Sequence, residues 1–232
     1  MVAGSVYLMA EWFRHKRHGF YILWSIGILA LGAFQLPFLL ANAGARFTLT
    51  TFNVFYAITA PLSFLGLLLI YAGLLPISSF KGQLRINIAL TLWFLASVAI
   101  TAYIFLTKHG YFTNHAIQVL PPLLFFLPLQ LMILLTLYNL LKRPWAQNPW
   151  CAAGIITQLC AVGLSLVLAA VAVREVLLYP PQFWFTAVGF NSPIYLLEGG
   201  SVLLLLIGFL MVHTHYRKIK DAGNDKHKPQ LT

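Results

Sequence analysis

Twelve of the fifteen Lys and Arg side chains lie on one side of six long apolar stretches, and this asymmetry constrains the chain more than any other feature. Arg14, Lys16, Arg17, Lys81, Arg85, Lys142, Arg143, Arg217, Lys218, Lys220, Lys226 and Lys228 share that side, which leaves Arg46, Lys108 and Arg174 on the other. Short loops held in the cytoplasm retain Lys and Arg, whereas exported short loops are depleted of them. The pattern therefore predicts an all-α integral membrane protein, a bundle of six transmembrane helices with N and C termini cytoplasmic. A bacterial inner membrane is the expected location.

The composition agrees with a lipid solvent, since hydrophobic residues make up 60% and charged residues 9% of 232, against roughly 25% charged in a soluble domain. A formal charge of +10 on a soluble domain would suggest nucleic acid. Here the cations flank apolar spans instead, so the expected partner is the bilayer, with anionic head groups at the cytoplasmic face and no nucleic acid. Each juxtamembrane cation contributes about 1 kcal/mol to that attraction. Cys151 and Cys160 lie about 13 Å apart along one helix axis, too far for a disulfide.

Three regions follow. Residues 1–19 form a basic cytoplasmic or interfacial segment, with Trp12 and Tyr7 suited to head-group depth. Residues 20–215 form the six-helix domain, with stretches near 20–42, 51–75, 86–107, 116–141, 150–173 and 193–213. Residues 216–232 form a basic tail, polar enough from Asp221 onward to be expected disordered. Ala41-Asn42-Ala43 resembles a signal-peptidase site, but the apolar run before it exceeds the usual 7–15 residues of a signal h-region, which favours retention.

Of the five acidic residues, Glu11, Glu175, Glu198, Asp221 and Asp225, Glu198 alone falls inside an apolar stretch. Burying it unpaired costs several kcal/mol, so it is a candidate ligand-binding group. Arg174, at the outer end of the fifth stretch, is the expected partner cation, reaching inward on its aliphatic stem. Gly199 and Gly200 follow Glu198, and Pro193 precedes it. Pro37, Pro61, Pro121, Pro122, Pro128 and Pro193 lie in the outer half or middle of their spans, where each frees a carbonyl that needs another partner. Gln35, Asn53, Thr59, Ser63, Gln118 and Gln130 occupy the same levels. Together they suggest a wet cavity opening away from the cytoplasm, with Glu198, Arg174, Gln130 and Gln35 as its ligand-binding groups. The alternative for Gln130 is a hydrogen bond between helices.

Small residues recur every four positions in the fifth stretch, at Ala153, Thr157, Ala161, Ser165 and Ala169, with Gly154 alongside. Such a stripe admits a closely packed helix, from the same chain, a second copy or a membrane-protein partner. Tyr179-Pro180-Pro181-Gln182-Phe183-Trp184-Phe185 is too aromatic for an aqueous loop and suits an interfacial anchor or a lid. All seven histidines are expected at helix ends or in loops, which argues against haem held between helices.

No nucleophile elbow, zinc motif, phosphate loop or Mg²⁺-binding acidic cluster is present in the sequence. Neither catalytic residues, metal nor cofactor are expected. The leading expectation is a non-enzymatic protein that binds or transports a small solute through the outward cavity. The alternative is a scaffold, sensor or assembly subunit of a larger membrane complex, and a membrane-embedded enzyme ranks third.

Overall fold

Backbone N–H and C=O groups in hydrocarbon have no water to bond, so an apolar segment that spans a bilayer closes its hydrogen bonds within a helix or a barrel. The computed structural model describes residues 2–14, 20–34, 48–75, 83–108, 111–178 and 193–225, and among these there is no strand. The helices are α1 Val2–Arg14, α2 Phe20–Phe34, α3 Leu49–Leu74, α4 Gln83–Thr107, α5 Tyr111–Pro121, α6 Leu127–Leu141, α7 Pro149–Leu178 and α8 Pro193–Asp225. A π-helical turn, Pro122–Phe126, joins α5 to α6, and a 3-10 turn, Pro144–Gln147, leads into α7.

Four segments are long and apolar enough to cross a membrane: Asn53–Leu74, Leu84–Thr107, Ala116–Leu141 and Pro149–Arg174. The first and sixth stretches are present as shorter apolar helices, Tyr21–Ala33 and Gly199–Thr214. The outer end of the first stretch, with Gln35, Pro37 and the Ala41-Asn42-Ala43 site, lies outside the described residues, as does the aromatic connection 179–192.

Local chemistry sets several boundaries. Thr48 caps α3, its Oγ1 accepting from the Thr51 amide at 3.2 Å, which satisfies one of the orphan donors of the first turn. Pro121 and Pro122 lack the N–H that would continue the i→i−4 ladder, and the chain answers with the five-residue π turn rather than a break. The fourth stretch is therefore continuous through its prolines. Helix α8 runs on to Asp225, past the end of its apolar stretch. Arg217, Lys218, Ile219 and Lys220 are tolerated by a helix, and the ladder already formed in the apolar part propagates through them.

Helices α2 and α3 pack closely, as do α7 and α8; α6 lies against α7, and α2 touches α8, which closes a ring through α3 and the α5–α6 unit. The core runs through this ring, centred on Phe64, Trp24, Ile28, Leu129, Ile133 and Ile155, all buried. Phe64 meets Trp93, Phe125 and Phe126 with ring centroids 5.5, 5.4 and 5.6 Å away, within the range of favourable aromatic pairs. Helix α4 stands outside the ring, against α3 and α5. Only 22% of its apolar window is buried, against 61% for α3.

The N-terminal segment is more than an interfacial rod. Helix α1 packs on α2, Leu8 is fully buried, and the Ser25 hydroxyl donates to the Ser5 carbonyl at 2.7 Å.

Candidate functional site

Two glycine crossings position the bundle. A Cβ added to Gly27 would stand 2.8 Å from the Gly66 carbonyl oxygen, and one added to Gly66 would stand 2.7 Å from that of Gly27. Real Cβ atoms do not approach so closely, so only glycine lets α2 and α3 touch backbone to backbone. Gly154 and Gly208 make the same contact between α7 and α8. Each pair joins a helix leaving the basic end to the next one returning.

Two of the four sequence candidates, Gln130 and Arg174, have described side chains. Gln130 is 4% exposed, and its Nε2 donates to Ser165 Oγ at 2.8 Å. Its buried Oε1 has no partner among the described residues. The side chain thus ties α6 to α7, the interhelical arrangement set out as the alternative above. Glu198 is part of α8, but its side chain lies outside the described residues, and so does all of Gln35. Arg174 is exposed near the end of α7. Gly199 and Gly200 have nothing within 4 Å of an added Cβ, so no backbone approaches them among the described residues.

On the small-residue stripe of α7, Ala161 is 1% exposed, Ser165 receives Gln130, and the Thr157 hydroxyl donates to the Ala153 carbonyl at 2.8 Å. Ala153 and Ala169 are half-buried. Two other polar groups near the prolines are satisfied within their own helix. Thr59 donates to the Phe55 carbonyl at 2.8 Å and Ser63 to the Ala60 carbonyl at 2.9 Å. A hydroxyl bonded this way has less need of a water-filled cavity.

An open groove of about 300 Å³ lies between α3 and α4, lined by Val54, Ala57, Ile58, Pro61, Val98, Ala102 and Phe105. Every lining side chain is hydrocarbon. None of Asn53, Thr59, Ser63, Gln118 and Gln130 lines it. Its floor is a small core of Tyr56, Ala60, Ile104 and Ile117, against which Ala57 and Ile100 pack. Pro61 and Ala102 help open the groove, because a ring and a methyl group cover less of the neighbouring backbone than a Leu would. Among the described residues Pro61 is the one proline that lines this groove, and the groove's walls are apolar.

One histidine departs from the expectation of an end or loop position. His213 is 6% exposed and Tyr21 3%, and the Tyr21 hydroxyl is hydrogen-bonded to the His213 ring, at Nδ1 and with Nε2 3.1 Å away. Phe209 stacks on Trp24 with centroids 4.1 Å apart and meets the edge of Tyr21 at 6.4 Å. The sequence places these residues near the ends of their apolar runs, yet α2, α8 and α1 together shield them. Lys142, by contrast, lies with its Nζ 4.2 Å from the Tyr138 ring centroid, a cation kept at the basic end by an aromatic face.

Among the described residues no group of three or more His, Cys, Asp or Glu could hold a metal ion. The fold and this site define an all-helical protein with the make-up of a multi-pass integral membrane protein. No known protein family matches the chain, and no curated protein or solved structure is detectably similar to it.

Proposed function

We propose that this chain is a non-enzymatic membrane protein that binds a small apolar or amphipathic solute, taken from the bilayer rather than from water. The observation that carries this reading is the α3–α4 groove, which is hydrocarbon-lined and open at the protein surface. Mostly apolar, concave sites are the usual receptors of small ligands. The sequence reading gave the small solute Gln130 among its contacts; the Gln130–Ser165 bond supports assigning that residue to helix packing instead. Transport of the bound solute, with Glu198 and Arg174 as polar groups on its route, is the fuller form of the same proposal.

A long-chain fatty acid bearing a photoactivatable diazirine on its tail tests the reading. Crosslinked peptides are expected to cluster at 54–61 and 98–105. Adducts spread evenly over the apolar surfaces of α4 and α7 would sink it.

The membrane arrangement belongs to the same proposal: six spans, both termini cytoplasmic, in a bacterial inner membrane. The Lys and Arg asymmetry supports it. A reporter active only in the cytoplasm should work when fused after Thr232 or after Lys142, and fail after Lys108. The reverse pattern would exclude this orientation. A second reading, an assembly subunit, is favoured by the exposed apolar surface of α4, of which Leu92, Leu95 and Leu106 form part. A single stable complex of defined mass, isolated from native membranes and lost on substitution of those residues, would support it.

A further inference from the structure

Helices α3 and α4 run antiparallel, and their register can be read from the floor of the groove, where Tyr56 and Ala60 share a cluster with Ile104 and Ile100. One helical turn beyond Ile104 comes Lys108, whose amide still donates to the Ile104 carbonyl at 2.9 Å. About two turns before Tyr56 comes the start of α3, with Thr48 and Thr51 exposed. Lys108 therefore stands about one turn beyond the outer end of the groove, level with the first turn of α3. The groove's lining residues run from Val54 to Pro61 on α3 and from Val98 to Phe105 on α4, a rise of about 10 Å, which is about a third of the roughly 30 Å hydrocarbon thickness of a bilayer.

Charge at its mouth is one-sided. Lys108 is exposed, and α3, α4, α5 and α6 contain no Asp or Glu, the sequence having none between Glu11 and Glu175. It is also one of only three cations on its side of the apolar stretches. A hydrocarbon slot about 10 Å long, with a lysine about one turn beyond its outer end and no carboxylate on the helices around it, matches the chemistry of an anionic phospholipid.

We propose that the α3–α4 groove is an anionic phospholipid site, with one acyl chain along Val54, Ile58, Pro61, Val98, Ala102 and Phe105 and the phosphate at the Lys108 ammonium. This rests on the preceding reading of the groove and names the ligand class. Binding needs no covalent step, only exchange of the lipid laterally from the surrounding leaflet. One near-surface cation favours an anionic over a zwitterionic head group by about fivefold.

The test uses the full chain purified in detergent and offered phosphatidylglycerol or phosphatidylcholine with identical acyl chains, the retained lipid being counted by native mass spectrometry. The unaltered protein should hold phosphatidylglycerol about fivefold better. Lys108→Gln, a surface change that leaves the core intact, should bring the two lipids level. Ala102→Phe should block the groove and reduce retention of both. Equal retention by the unaltered protein, or a preference that survives Lys108→Gln, would overturn the head-group assignment while Ala102→Phe still displaced both lipids. If Ala102→Phe displaced neither lipid from a monodisperse protein, the groove would not be a binding site at all.

Discussion

The carbonyl oxygen of Gly154 stands 2.6 Å from the position a Cβ would take on Gly208, and that of Gly208 stands 2.7 Å from a Cβ on Gly154. The relation is mutual, so neither helix can move aside for a methyl group without losing the other's contact. Because α7 and α8 are among the most closely packed elements, the bundle depends on this crossing.

Gly208→Ala should destabilise the protein by about 1–3 kcal/mol, the usual cost of overpacking a tight interface. At this chain length that corresponds to a lower melting temperature by about 2–4 °C per kcal/mol. Gly66→Ala should behave alike at the α2–α3 crossing. Gly163→Ala is the control, since nothing lies within 4 Å of its added Cβ, and a better helix former there should leave the midpoint unchanged or raise it. Thermal scans of the three variants by tryptophan fluorescence decide the matter; equal midpoints would show that the glycine contacts do not hold the helices.

The bond from Gln130 to Ser165 makes a different forecast. Interhelical hydrogen bonds in membranes average about 0.6 kcal/mol, but Ser165→Ala strands the Gln130 amide as well and should cost about 1–2 kcal/mol. Gln130→Met removes the buried amide and its already unmatched Oε1, so it should be close to neutral. The double variant should resemble Gln130→Met alone, giving a coupling energy measurable in a double-mutant cycle. Strict additivity of the two single changes would mean that the side chains do not interact.

Tyr21→Phe keeps the ring that meets Phe209 and removes only the hydroxyl bonded to His213. The buried imidazole then loses that partner, for an expected destabilisation of about 1–2 kcal/mol. Combining it with His213→Phe should recover most of the loss, because two apolar rings replace a polar pair. Chemical unfolding in mixed micelles reads both effects. A Tyr21→Phe protein as stable as the parent would show the bond to be energetically silent.

Much of the architecture was legible from residue order alone. Apolar runs of spanning length have one low-energy backbone solution in lipid, which is why α3, α4, the α5–α6 unit and α7 fall where the runs do. Spacing by four keeps Ala153, Thr157, Ala161, Ser165 and Ala169 on one face of α7. What periodicity could not show was the occupant of that face. Gln130 is separated from Ser165 by 35 positions, and no local rule connects them. Gly27, Gly66 and Gly208 carry no local signal of a partner, and their pairing emerges only when the backbones are placed side by side. The same holds for His213, near the end of an apolar run and yet buried by α2. Polar residues near prolines suggested water, but hydroxyls that turn back to their own helix carbonyls leave a groove of carbon.

Residue order by itself therefore pointed to a lipid solvent, the helical class and the approximate limits of α3, α4, the α5–α6 unit and α7, because a long apolar run in hydrocarbon satisfies its backbone polar groups within a helix; it did not give the extension of α8 to Asp225. Tertiary structure alone decided which glycines meet, which polar side chains are spent between helices, and that a hydrocarbon-lined groove is left between α3 and α4. Those outcomes depend on how packed surfaces fit across long sequence separations, and fit of that kind is a property of two helices together, not of either one read alone.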